Sequence, residues 1–157
     1  MKRKKVDLLK IQNVLLSSCP FISFAFIQGP DSSGFIMPPG NIDLAVYLDG
    51  TIGTYQALER ILPVMTHSVP QVFCELTILN RVDPITRYNV LQKSPLFIRE
   101  KRENQFSQFV RKTNLDYRVL RAQYRRRGLL SDTNQAMPDP SFILSRENFP
   151  PNVKSKI

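Results

Sequence analysis

A chain of 157 residues is long enough for one domain with a buried core, and 42% hydrophobic against 22% charged residues is a globular, soluble balance, not a disordered one. No apolar run is long enough to span a bilayer, which excludes a membrane helix. The formal charge of +9 favours anionic partners, and two cysteines without paired spacing exclude a disulfide framework or a zinc knuckle, so a reducing cytoplasm is the expected location.

From Lys4 to Ser18, Leu8, Ile11 and Leu15 recur at helical spacing, which predicts an amphipathic helix ending at Cys19-Pro20. Basic residues 2–5 ahead of Leu16-Ser17-Ser18-Cys19 resemble a lipoprotein signal, but Asp7, Lys10, Gln12 and Asn13 break the apolar segment such a signal needs. Phe21 to Gln28 is nearly all apolar, the pattern of a strand buried on both faces. A Gly29-Pro30 turn and a ten-residue loop, Asp31 to Gly40, lead to a second strand, Asn41 to Leu48. There the period of two sends Ile42, Leu44, Val46 and Leu48 to one face and Asn41, Asp43, Ala45 and Tyr47 to the other. Two oxygen-bearing side chains at a strand's start suit a metal or phosphate site, although Asn and Asp also open strands after ordinary turns.

Thr51 to about Leu62 predicts a helix with Tyr55, Leu58 and Leu62 on one side, kinked or stopped by Pro63. His67, the single histidine, falls near a helix end as a surface residue, and no histidine-based triad is available. Gln71 to Leu79 predicts a strand in which Phe73, Glu75 and Thr77 share a face. A carboxylate in so apolar a run requires water, a cation or a metal beside it. Asp83-Pro84 caps a short helix to Lys93, and Pro95 to Ile98 is a short strand. The last element is a long helix, about Glu100 to Arg127, striped by Phe106, Val110, Thr113, Tyr117, Leu120 and Tyr124. Residues 99–127 hold ten Lys or Arg against three acids, so most of the net charge sits here, a face that attracts RNA, nucleotide phosphate or an acidic protein. Residues 131–157, rich in Ser, Asp, Asn and Pro, read as a flexible tail behind a domain of residues 1–130.

The segment from Gly29 to Asp43 resembles the active-site signature of polymerase-β-type nucleotidyltransferases, Gly-Ser, ten residues, Asp-x-Asp. Its flanks, Phe24-Ala25-Phe26 and Ile42 to Leu48, are similar to the minimal nucleotidyltransferases (MNT proteins) paired with HEPN toxins. The resemblance covers about residues 5 to 127. It implies an α/β (α+β) nucleotidyltransferase palm, a small mixed sheet flanked by helices with a long C-terminal helix. It also implies an antitoxin that binds and neutralises a HEPN toxin, as a hetero-oligomer or homodimer, with AMP transfer from ATP to a toxin tyrosine as the family chemistry. By position, Asn41, Asp43 and Glu75 stand where the three catalytic, metal-binding carboxylates are expected, and Gly29, Pro30 and Gly34 where nucleotide is held. Mg²⁺ and ATP are the cofactors of an active member; a member that only binds its partner needs none.

Two of those positions depart from the pattern. Pro30 replaces the phosphate-contacting serine and brings neither hydroxyl nor N–H, Asn41 is a neutral ligand where a hard cation prefers a carboxylate, and Asp31 stands where a basic residue often follows. Weakened or lost transfer is the expectation. The other reading from the residues is a non-catalytic interaction or RNA-associated module acting through the basic helix.

Overall fold

The computed structural model describes residues 4–29, 35–36, 41–70 and 72–127. Pro30, Asp31, Gly34 and the 131–157 tail lie outside them, as does the domain boundary at 130.

The elements run β1 (Lys4–Lys5), α1 (Leu8–Ser18), β2 (Ile22–Gln28), β3 (Phe35–Ile36), β4 (Asn41–Leu48), α2 (Thr54–Ser68), β5 (Phe73–Ile78), α3 (Pro84–Leu91), β6 (Phe97–Ile98) and α4 (Glu103–Arg126). A mixed four-stranded sheet in the order β5-β4-β2-β6 forms the centre, and β1 pairs with β3 in a separate two-stranded sheet. β4 is antiparallel to β2 and parallel to β5. The expected α/β architecture with its long last helix is therefore present. No helix among the described residues is long and apolar enough to cross a membrane.

Alternation along the strands splits the core into two layers. Ile42, Leu44, Val46 and Leu48 bury with Ile11 and Leu15 of α1 and Ala57, Ile61 and Met65 of α2. Ala45 buries on the opposite face with Phe24 and Phe26 of β2, Val90 and Leu91 of α3, and Phe106, Phe109 and Val110 of α4. A register shift between Ile22 and Phe24 lets Ile22 turn to the first layer while Phe24 faces the second, against strict period two. Phe24 stacks on Tyr47 with ring centroids 4.7 Å apart and meets Phe106 edge-on at 5.0 Å, which ties α4 to the sheet.

Several sequence expectations are corrected. The first helix begins at Leu8, not Lys4, because Asp7 caps it by accepting the Lys10 N–H and Lys4–Lys5 is drawn into strand pairing. The loop after Gly29 contains the short strand β3. α2 runs through Pro63 to Ser68, and its buried residues are Ala57, Ile61 and Met65, while Tyr55 and Leu62 stand exposed. Pro63 and Glu59 both lie on the solvent side, so the carbonyl that loses its N–H partner is open to water, and Ile61 and Met65 hold the helix down from the other side. On α4, Phe109 joins the buried stripe, and burial stops at Asn114; Tyr117, Leu120 and Tyr124 are only half-buried.

Two side-chain clasps fix the ends of the inner strands. The Asn80 amide accepts the Leu48 N–H at 2.8 Å and donates to the Leu48 carbonyl at 3.0 Å, pinning the end of β4. Arg99 donates to the carbonyls of Ile22 at 2.8 Å, Leu16 at 3.1 Å and Cys19 at 3.0 Å. It thereby satisfies carbonyls at the C-terminal end of α1, where positive charge also complements the helix dipole. Burial pushes the neighbouring Cys19 thiol up from its ordinary value, with Arg99 opposing. Arg99→Met is expected to lower stability by about 2–3 kcal/mol, since three carbonyls lose a charged donor at once. Urea denaturation checks this, and a loss below about 0.5 kcal/mol would mean that water replaces the guanidinium.

Candidate functional site

β2 ends and β4 begins at the same edge of the molecule, because the two strands are antiparallel with Gln28 opposite Asp43. The parallel register of β4 and β5 then sets Asn41 beside Phe73, Asp43 beside Glu75 and Ala45 beside Thr77. Adjacent strands lie about 4.8 Å apart, so Asp43 and Glu75 are direct neighbours on one face. They share the face that α3 and α4 cover further along, and both carboxylates stand exposed. Glu75 is thus solvated, not buried. Together with Phe26, Gln28, Leu44, Ala45, Thr77 and Val90 they line a cleft of about 290 Å³.

Asn41 is exposed on the same strand face one pleat before Asp43, yet it is not among the cleft-lining residues. Gly29 follows directly on the end of β2. Its φ of 110° lies in the region that favours glycine, and a Cβ there would stand 2.1 Å from the Asn41 carbonyl oxygen. The backbone of the turn and the first residue of β4 therefore touch, which is how a turn residue and a strand residue twelve positions apart come to one place. Gln28 and Thr77 line the cleft although the sequence reading passed them over. Period two puts Gln28 on the Phe24–Phe26 face and Thr77 on the Glu75 face, but neutral side chains carry no chemical signal of their own. Val90 arrives from α3, which no local pattern foretells.

On the opposite face of β5, the Cys74 thiol is pushed up to about 11, first by burial and then by the negative charge of Asp43. Cys74 is expected to alkylate slowly at pH 8 in the folded chain and to speed up only as pH rises towards that value. Asp43→Asn removes the second cause and should raise the labelling rate at pH 9. Mass-spectrometric timing of iodoacetamide labelling reads both effects, and an unchanged rate in the variant would separate Cys74 from Asp43.

The donors define what cation the site suits. Asp43 and Glu75 offer two adjacent carboxylates and the neutral Asn41 lies next to them, a set that fits one hard, oxygen-liking ion such as Mg²⁺. Two ions would need a third carboxylate between them, and among the described residues no group of three His, Cys, Asp or Glu could hold a metal.

The solved structures decide the fold. A chain of a mutant MntA-HpeT toxin-antitoxin crystal structure superposes with a TM-score of 0.62 at 18% identity, over 77% of this chain and 94% of that one. A toxin-antitoxin crystal structure with AMP-PNP gives 0.61 at 19% identity, with coverage of 77% and 94%. A further MntA-HepT structure gives 0.52 at 15%, with 76% and 91%. The chain has the nucleotidyltransferase fold of MntA. No family model and no curated protein matches it.

Proposed function

We propose that this chain is an MNT-type antitoxin that binds and neutralises a HEPN toxin, with AMP transfer from ATP to a toxin tyrosine weakened or lost. The observation that supports it best is the pairing of Asp43 with Glu75 across β4 and β5 beside the Gly29 turn, in a fold shared with toxin-antitoxin structures, one of them with AMP-PNP. Asp43 and Glu75 would hold Mg²⁺, which when bound offsets charge on the nucleotide phosphates. Gln28 and Thr77 offer neutral hydrogen bonds to a ligand in the cleft.

Asn41 and Pro30 account for the weakening. Asn41 offers a neutral oxygen where the resemblance expects a carboxylate, and Pro30 offers neither hydroxyl nor N–H. Neutralisation then rests on binding. The test is co-expression with the HEPN toxin together with an ATP–Mg²⁺ transfer assay using purified proteins. The expected result is rescue of growth by the wild type and by Asp43→Ala alike, with little labelling of the toxin. Rescue abolished by Asp43→Ala would make the chemistry essential, and no rescue by either would overturn the antitoxin reading.

A further inference from the structure

α4 outruns the domain it is packed on. Its buried residues, Phe106, Phe109, Val110, Thr113 and Asn114, all fall in the first half, and no described residue after Asn114 is buried. On the outer side of the second half two aliphatic residues one turn apart, Leu115 and Val119, are 62% and 50% exposed. Arg111, Arg118 and Arg125, spaced seven apart and therefore about 10.5 Å, run exposed down one flank of this seam. No ion pair engages these three among the described residues, whereas Lys112 on the other flank is held by Asp116 at 3.0 Å.

An apolar centre with a charged rim has the anatomy of a protein interface. Unpaired arginines set the sign of the occupant. A second copy of the chain is disfavoured because it brings the same +9 charge. Residues 128–157 hold three acids and three bases, so the chain's own C-terminus brings no complementary charge. Single-stranded RNA asks for aromatic platforms, and none stands on this face: Tyr117 is stacked against Tyr88 at 3.8 Å instead. We infer that the outer face of α4, centred on Leu115 and Val119, docks an acidic amphipathic helix of a partner protein, its aliphatic side on the seam and its carboxylates on Arg111, Arg118 and Arg125. This goes beyond the antitoxin reading and is independent of the strand site.

The test uses the full chain and a fluorescein-labelled synthetic helical peptide with leucines four apart and glutamates on the flanking positions. A scrambled peptide of the same composition and an oligouridine RNA are the competing probes. The expected result is binding of the amphipathic peptide at least about tenfold tighter than either, weakened as salt rises. Leu115→Ser with Val119→Ser, and separately Arg118→Glu with Arg125→Glu, should each cost about tenfold or more while the thermal melt stays unchanged, since all four side chains are exposed. Asp43→Ala should leave peptide binding unaltered, which separates this surface from the nucleotide reading. Equal binding of the scrambled peptide, tighter binding of the RNA, or seam variants that bind normally would each overturn the inference.

Discussion

Asn41→Asp is expected to raise AMP transfer to the toxin by about a hundredfold or more, and Pro30→Ser added to it should raise it further. Asp43 and Glu75 are already side by side, so the variant supplies the one carboxylate that a two-ion site lacks. A hundredfold corresponds to about 2.7 kcal/mol of transition-state stabilisation, within what a metal-held charge contributes. The same change has a signature independent of turnover. Three carboxylates on one exposed face repel each other mildly without a cation, so Mg²⁺ should raise the melting temperature of the variant more than that of the wild type. Calorimetry with Mg²⁺ and ATP should show tighter binding in parallel. If transfer stays at the wild-type level while Mg²⁺ stabilises the variant, a third carboxylate at position 41 is not what limits transfer. If neither changes, Asn41 does not reach the cleft.

The pairing of Asp43 with Glu75 is legible in the sequence because β4 and β5 keep the strand parity that β2 breaks. Parity puts Asp43 and Glu75 on one face of two apolar strands, and the parallel register found in the structure sets them next to each other. β4 runs over Asn41–Leu48, the bounds that its alternation indicates, since one face meets α1 and α2 and any slip would bury Asp43. Helix α2 shows the opposite case. Apolar residues occur on more than one of its sides, and Tyr55, Leu58 and Leu62 make as good a stripe on paper as Ala57, Ile61 and Met65. The small Ala57 lets the helix approach the sheet, and only the packed structure selects it. β3 has two residues and no periodicity to read. The Arg99 and Asn80 clasps join segments tens of positions apart through a single side chain, so their partners carry no sequence trace. In sum of physical cause, repeated patterns were legible and one-residue contacts were not.

Gly29→Ala is the second large effect, a loss of about 3 kcal/mol or more in folding stability. Two costs add. A side chain at φ 110° is strained in its own backbone, worth about 1–2 kcal/mol. The new methyl would also stand 2.1 Å from the carbonyl oxygen of Asn41, well inside contact distance. Relief requires the turn or the start of β4 to move, because the clashing atom is backbone and has no rotamer to change, and forced shifts of this kind cost about 1–3 kcal/mol. Gly50 is the internal control. Its φ is 90°, so it carries the same kind of strain, but nothing lies within 4 Å of its Cβ position. Gly50→Ala should therefore cost only the conformational part, about 1–2 kcal/mol. Chemical denaturation of the two variants side by side isolates the contact. The Cys74 thiol gives a local reading: if Gly29→Ala pushes β4 away from the turn, the electrostatic influence of Asp43 on Cys74 changes and its labelling rate shifts. Equal losses in the two variants would show that the Gly29 turn does not bear on Asn41, and the tie between the glycine turn and the carboxylate strand would be gone.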